Sequence, residues 1–447
     1  MKPAPPVTLT LTGIAHGGEA FGHHQGKIVF VPYAIPGETV QVEISEDKPK
    51  WARARLRKVL RPSPDRRQPP CPYFGPGRCG GCQWQHIAYE RQLALKQEVL
   101  ADQLRRLGGI ADPPVLDIIA LADDDGLRDY GYRNHVQLAT AGNGRLGFVR
   151  EGAEMGREAT DVIAIDECLL LHPLVDELHQ ALRLAQSEDR AEEEGEAVRL
   201  QRVSLRAGLH SGQQLLVFET ADDRAPGLLV EEWTVAAALK RGDGSTLGLI
   251  GDPWLEETVG GRTFRVSAAS FFQVNTIGAE AMVDLAGDML APQGHETLLD
   301  AYCGVGLFGL SLAGQVREVV GVESSPSACD DFAWNARDLN HVSLFEGAVA
   351  EVLAALPAPG DERQPDSPAS FDLAILDPPR SGAGPDVVAQ IARLGIPRLL
   401  YISCDPATLA RDARLLLATG YHLRRVQSID LFPQTFHLES LALFERP

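Results

Sequence analysis

Apolar and polar positions along the chain follow three rhythms in turn. Over residues 1–62 the rhythm is two: TLTLT and TVQVEI alternate, GKIVFVP follows a Gly-rich turn, and ARARLRKVL sets apolar residues against basic ones. Alternation of this kind predicts half-buried strands. Gly17-Gly18, Gly22, Pro36-Gly37 and Pro49 mark the turns between them. About five short strands in about sixty residues suggest a small barrel of the oligonucleotide-binding type. The rhythm then becomes helical: HIAYERQLALKQEVLADQLRRLGG spaces apolar residues by three and four and stops at Gly108-Gly109. Residues 130–260 return to short strand-like runs (HVQLAT, RLGFVR, VSLRAG, QLLVFET, WTVAAAL) and read as a β-rich middle domain. From about 268, helices alternate with the apolar strands TLLDAY, EVVGVE, SLFEG, FDLAIL and RLLYIS. That order belongs to a doubly wound, mostly parallel α/β sheet. The last two strands, LRRVQSID and ESLALFER, are joined without a helix, which admits an antiparallel final strand. The resulting division is 1–62, 63–267 and 268–447.

Composition supports folded domains. The chain has 447 residues, 44% hydrophobic and 23% charged, enough for two to four domains with proper cores. Wholesale disorder, collagen-like repeats and a small disulfide scaffold are excluded. No apolar run reaches the length of a membrane span. The start, MKPAPPVTLTLTG, lacks a signal-peptide core, so a cytoplasmic monomer without a membrane partner is expected. The net charge of −19 argues at first against nucleic acid. Its distribution reverses that argument. Lys48 to Arg67 holds nine basic residues and one acid, +8, which leaves −27 for the rest. Interleaved with Trp51, this stretch favours a strand that tracks phosphates, with Arg53, Arg55 and Arg57 as RNA contacts. The acidic run 187–196 reads as a solvated loop without assigned function.

The chemistry concentrates at the ends of the C-terminal strands. The first ends in Asp300-Ala-Tyr302-Cys303-Gly304-Val-Gly306-Leu307-Phe-Gly309, a G-x-G-x-x-G turn. Its glycines admit close approach of a ligand, and the following helix N-terminus favours an anion. The second strand ends in Glu323, placed for a ribose diol. Both features suit NAD and S-adenosylmethionine alike. The fourth ends in Asp377-Pro-Pro-Arg380 and the fifth in Ser403-Cys404-Asp405-Pro406. A thiol at a sheet's carboxyl edge and a helix start has reason to be acidified.

Seven cysteines in a cytosolic chain read as free thiols, ligands or nucleophiles. Cys71, Cys79 and Cys82 have the spacing C-x7-C-x2-C, and Cys168 stands in IDEC. By spacing alone, four such thiolates suit zinc or a [4Fe–4S] cluster equally. Cys303 and Cys329 read as small core or helix residues.

In order, the motifs SPDRRQPPC, CGGCQWQH, YRNHVQLA, IDECLLLHP, SFFQVN, LLDAYCGVGLFGL, LDPPRSG, YISCDPATLARD and HLESLALFER resemble those of the RNA uridine-5 methyltransferases. The likeness is to the rRNA-modifying branch with an iron–sulfur cluster and an N-terminal TRAM domain. It implies a class I SAM-dependent methyltransferase fold with a seven-stranded sheet, an OB-like TRAM barrel and a β-rich centre. It also implies 23S rRNA as substrate, with tRNA as the alternative. The chemistry needs one thiol, one base and one methyl donor, because carbon 5 of uracil becomes nucleophilic only after a thiolate adds at carbon 6. The resemblance puts the nucleophile on Cys404 and the base on Glu439, whose place at the head of an apolar strand favours a raised pKa. His437 is a lesser candidate base. Donor contacts fall on Gln273, Tyr302, Gly304, Gly306, Leu307, Glu323 and Asp377. Phe271 is a stacking candidate for a flipped base. A [4Fe–4S] cluster falls on Cys71, Cys79, Cys82 and Cys168. The sequence departs from the family pattern where no acid follows Gly347, where Leu307 is apolar, and where the first cysteine gap is seven rather than five. Two other classes fit less: an NAD-linked oxidoreductase with a metal centre leaves Cys404 unexplained, and a non-catalytic RNA-binding protein leaves both Cys404 and Glu439 unexplained. A cytosine-5 enzyme lacks its expected cysteine in DPPR.

Overall fold

The computed structural model describes residues 6–123, 126–141, 145–153, 161–182, 198–227, 235–358 and 370–446. The acidic run 187–196 and the Pro/Asp/Ser loop 361–370, apart from Ser370, lie outside the described residues.

Five strands close the N-terminal barrel: β1 (Val7–Ile14), β2 (Ala20–His24), β3 (Lys27–Val31), β4 (Thr39–Asp47) and β5 (Trp51–Arg61), in the order β1-β2-β3-β5-β4. The period-two pattern fills its centre with Leu9, Leu11, Val29, Val31, Val40, Val42, Ala52 and Ala54. On β5 the same pleat turns Arg53, Arg55 and Arg57 outward.

A turn-rich segment leads to α1 (Tyr89–Arg106), which buries Leu95, Val99, Leu100 and Leu104 and packs on a helix of the last domain. Short strands β6 (Ala122–Asp123) and β7 (Gly126–Leu127) follow. The middle sheet comprises β8 (His135–Thr140), β9 (Leu146–Val149), β10 (Val162–Ala164), β11 (Leu200–Ala207), β12 (Gln214–Thr220), β13 (Val235–Lys240) and β14 (Thr246–Ile250), with α2 (Pro173–Ala181) against it. Its one parallel pair is β12–β13. The hairpin β15 (Trp254–Val259) and β16 (Arg262–Ser267) joins it to the last domain.

That domain runs α3 (Thr276–Leu290), β17 (Thr297–Ala301), α4 (Leu307–Leu312), β18 (Glu318–Glu323), α5 (Pro326–Asn335), β19 (Val342–Glu346), α6 (Val349–Ala355), β20 (Leu373–Leu376), α7 (Gly384–Leu394), β21 (Arg398–Ser403), α8 (Pro406–Ala418), β22 (His422–Ile429) and β23 (Glu439–Glu445). The sheet order is β19-β18-β17-β20-β21-β23-β22, parallel except for β23. The expected seven-stranded doubly wound sheet with an antiparallel last strand is what forms. Its strands are apolar on both faces because both are covered: Leu298, Ile375, Leu400 and Ile402 look into one core, and Leu299, Ala374, Leu399 and Tyr401 into the other. α1 packs on α8, and Val115 and Ile119 bridge to β22, so part of the segment before the middle sheet is bound to this domain.

Candidate active site

The carboxyl edge of the sheet gathers the predicted donor residues. Tyr302 leaves β17 with a left-handed φ of 63°, and Gly304 and Gly306 follow at 54° and 97°. This sharp turn holds the first turn of α4 open above β17. Asp300 Oδ2 accepts the Gly309 N–H at 2.7 Å, and a Cβ on Gly309 would stand 2.6 Å from that oxygen. Glycine there is a packing requirement. Glu323, at the end of β18, is fixed by N–H donors on both oxygens: Gly304 at 3.0 Å, and Ser324 and Ser325 at 2.6 and 2.8 Å. Leu307 is buried at the start of α4, and Gln273 is buried just before α3. One atom stands out. Asp300 Oδ1 is buried without a hydrogen-bond partner, and burial, with Glu323 nearby, pushes its carboxyl up to about 7. The loop fits a donor molecule: open backbone, a fixed diol acceptor and an unsatisfied carboxyl atom.

Next to it stand the thiol and the two other carboxylates. Antiparallel pairing of β21 with β23 sets Ser403 opposite Ser440, so Cys404 and Glu439 sit at the same end of that pair. Asp377 ends the neighbouring β20. Cys404 is half-buried. Burial first, then Glu439 and Asp377, push its thiol up to about 11, against the opposing pull of Arg380. The expected acidification is therefore corrected. The positive end of α8 is taken by Asp405, whose carboxylate caps Ala407 N and Thr408 N at 2.9 Å each, and the charges left facing the thiol are mostly negative. Glu439 is raised well above the usual carboxylate range by burial and by Asp377. Burial and Asp300 push Asp377 up to about 7. His437 is held down at about 4 by burial and by Arg380, Lys96 and Arg133, which weakens it as a base. A cavity of about 350 Å³ opens on Cys404, lined by His16, Gly17, Trp84, Arg380 and His437 among others.

Phe271 and Phe272 part ways. Phe271 is 70% exposed, whereas Phe272 is buried against Phe264 with centroids 6.2 Å apart. A stacking role is thus open to Phe271 alone of the two.

The four outlying cysteines line one larger cavity of about 940 Å³, which shares His16, Gly17, Arg380 and His437 with the first. All four are free thiols. Burial raises Cys79, raises Cys82 to about 12 and Cys168 to about 11, and the neighbouring cysteines add to each. Gly81 N–H donates to Cys79 Sγ at 3.4 Å. Half-buried thiols that raise one another have the donor chemistry of a soft-metal ligand set. As they stand, no group of three or more His, Cys, Asp and Glu among the described residues is close enough to hold a metal ion.

The basic strand is less bare than its sequence. Arg53 pairs with Glu19 at 3.3 Å and stacks over Trp51, and Arg57 pairs with Glu43. Arg66 is committed to buried Glu38 and the Tyr33 carbonyl. Among the described residues Arg55 has no ion-pair partner. Over residues 1–62 there are nine bases against five acids, and β4 lays Glu43, Glu46 and Asp47 directly beside β5.

Three features at the site escaped the sequence reading. His16, from the barrel's β1–β2 loop, reaches Asp405 at 3.1 Å; its only sequence mark is the adjoining Gly17-Gly18. Lys96 and Asp430 form a pair at 2.6 Å with no exposed surface on either, hidden in the helix by its apolar neighbours. Gln434, at a left-handed φ of 68°, is held by Gln92 and accepts the N–H groups of Gln83 and Trp84 on its carbonyl at 3.1 and 3.0 Å. The cysteine turn thus clamps the loop that delivers Glu439.

Comparison with known proteins gives a consistent picture. A family model for tRNA (uracil-5-)-methyltransferases matches residues 255–447, and one for the TRAM domain matches 6–56. The 23S rRNA (uracil(1939)-C(5))-methyltransferase RlmD of Pseudomonas putida is 36% identical, covering 98% of this chain and 93% of its own. The protein of the same name from Alkalilimnicola ehrlichii is 35% identical, covering 99% and 97%. Among solved structures, the Pyrococcus abyssi tRNA (uracil-54, C5)-methyltransferase in complex with S-adenosyl-L-homocysteine superposes with a TM-score of 0.73. It covers 98% of this chain and 100% of that one at 24% identity, a likeness of fold.

Proposed function

The chain belongs to the RNA uracil-5 methyltransferase family, and from that premise we propose that it methylates carbon 5 of a uridine in 23S rRNA, using S-adenosylmethionine. The observation that carries this reading is the meeting of Cys404 and Glu439 at one end of the β21–β23 pair, beside Asp377 and the Gly304–Gly306 turn. Hydride transfer has no use for that pair. S-Adenosylmethionine bound at Gln273, Tyr302 to Leu307, Glu323 and Asp377 supplies an electrophilic methyl group.

Cys404 loses its proton to solvent water and, as thiolate, adds to carbon 6 of the uracil. The ring electron pair moves to make an enolate, so carbon 5 can form its bond to the methyl carbon as the bond from that carbon to the sulfonium sulfur breaks and S-adenosylhomocysteine leaves. Glu439 then takes the carbon-5 proton; its raised pKa puts its basicity nearer that task than an ordinary carboxylate's. The carbon 6–sulfur bond breaks and the thiolate returns. Arg380, the cation acting on both Cys404 and Glu439, favours the ionised form of each. Phe271 is free to stack on a flipped base. Arg53, Arg55 and Arg57 are proposed to meet phosphates, Arg55 most directly.

The thiols Cys71, Cys79, Cys82 and Cys168 would hold a [4Fe–4S] cluster, whose contribution is a cross-link between the cysteine turn and the middle domain rather than an electron. Anaerobic purification with iron and sulfide assay tests this; stoichiometric zinc without iron overturns it. Free thiols throughout support the cytoplasm as the compartment, and the chain is proposed to act as a monomer. Among the described residues no helix is long and apolar enough to cross a membrane. Mapping 5-methyluridine in rRNA and tRNA of a strain lacking the gene tests the target. Loss from 23S rRNA is expected, and loss from tRNA alone overturns the rRNA assignment.

A further inference from the structure

The catalytic cavity is not a property of the C-terminal domain alone. The barrel's β1–β2 loop forms one wall of it. Gly18 O accepts the Trp84 indole N–H at 3.0 Å, and a Cβ on Gly18 would lie 2.8 Å from Phe436. The loop is seated against the segments that carry the cysteine turn and the base. Its His16 Nε2 lies 3.1 Å from Asp405 Oδ2. Asp405 follows Cys404 directly, and its other oxygen caps α8.

Glu439 on β23 and Asp377 after β20 oppose a thiolate at Cys404, and Arg380 favours it. The imidazoles of His16 and His437 line the same cavity. Burial, with its cationic neighbours adding to it, holds His437 down at about 4. His16 alone comes from the RNA-binding barrel. Resting on the function proposed above, we propose that His16 is a positioning residue which ties the docked barrel to the nucleophile: it fixes the Asp405 carboxylate that caps α8 directly after Cys404, so that the nucleophile is held in place when the barrel loop is seated. The barrel and the segment carrying the nucleophile are then held by one contact.

Rapid-mixing measurement of the covalent complex with 5-fluorouridine-substituted rRNA fragment and S-adenosylmethionine tests this. The fluorine at carbon 5 cannot be removed as a proton, so the adduct persists and can be counted. His16→Ala is expected to slow adduct formation about tenfold, as misplacement of a reacting group does. RNA and S-adenosylmethionine affinities should stay within about twofold, which a merely structural role would not spare. In an Asp405→Asn background, where asparagine still caps α8, the same His16 substitution should have no further effect. An unchanged adduct rate in His16→Ala overturns the inference. So does a loss confined to RNA affinity, or an equal loss in the Asp405→Asn background. Failure of the wild-type chain to form any adduct overturns the proposed function itself.

Discussion

Two sets of thiols, only one of them built to react, share the connected cavities of this protein. Cys404 sits at the end of a strand whose pairing with β23 fixes its position, and the groups that raise its pKa beyond burial are carboxylates, Glu439 and Asp377. Cys71, Cys79, Cys82 and Cys168 sit on turns, and beyond burial the groups that act on Cys82 and Cys168 include one another. The first arrangement keeps a single thiol protonated until a cation or a substrate tips it. In the second, the thiols of Cys79, Cys82 and Cys168 would be eased by a cation bound among them. Similar pKa shifts therefore carry opposite chemistry, and the difference lies in which groups cause them.

The largest effect expected is at Cys404. Cys404→Ala should abolish methyl transfer, by at least about 10⁴-fold, as removal of a covalent nucleophile does, while S-adenosylmethionine titrates as before. A variant that still methylates RNA would dissolve the distinction between the two sets. Glu439→Gln should divide the reaction. Methylation of the adduct goes forward but proton removal stalls, so turnover falls by about 10²–10⁴-fold and a protein–RNA complex accumulates on denaturing gels. Absence of that complex would remove Glu439 from the role of base.

Much of this was legible from pattern, and what was not has a common cause. Strands buried on both faces announce themselves as apolar runs, so β17, β18, β20 and β21 and their terminal residues could be read directly. The barrel could be read from its alternation. Register between distant strands could not, since nothing local in HLES says that Glu439 lands beside Cys404; that came only through resemblance. The pKa of Cys404 was misjudged because position at a helix start is a local feature, whereas the deciding charges come from β20 and β23 and from a cap that occupies the helix end. His16 was invisible for the same reason. The parallel β12–β13 pair interrupts an otherwise antiparallel sheet, and no periodicity records that.

Cys168→Ser sharpens the comparison from the other side. Loss of one ligand of the proposed cluster should release iron and broaden thermal unfolding, because the cysteine turn clamps Gln434 and through it the loop leading to Glu439. Adduct formation should weaken with it, and S-adenosylmethionine affinity should not. A Cys168→Ser protein that retains a full iron complement would show that Cys168 is not the fourth ligand. A smaller effect follows from Asp377, raised from 3.8 to about 7. A carboxyl raised on folding contributes stability that is fully present below its unfolded pKa and is lost as pH rises through the folded one. Between about pH 4 and 7 the melting temperature of the wild-type chain should fall with rising pH, and Asp377→Asn should flatten that fall. An identical slope in the variant would place the titration elsewhere.

The smallest effect expected lies on the barrel, where exposed charges act singly and salt screens them. Arg53 and Arg57 are already paired with Glu19 and Glu43, so RNA must compete with those acids for them. Arg55 has no ion-pair partner among the described residues and stands on the same outward face of β5. Single replacement by glutamate should therefore rank Arg55 first, with Arg53 and Arg57 behind it. Reversal at Arg55 should weaken RNA binding uniformly across sequences and lower the slope of log K against log salt by about one. Affinity for S-adenosylmethionine should be untouched, since the barrel meets the catalytic cavity through His16 and Gly17 and not through β5. Equal losses at all three arginines would mean that the pairs open on binding, and that the barrel presents its whole strand to the phosphates.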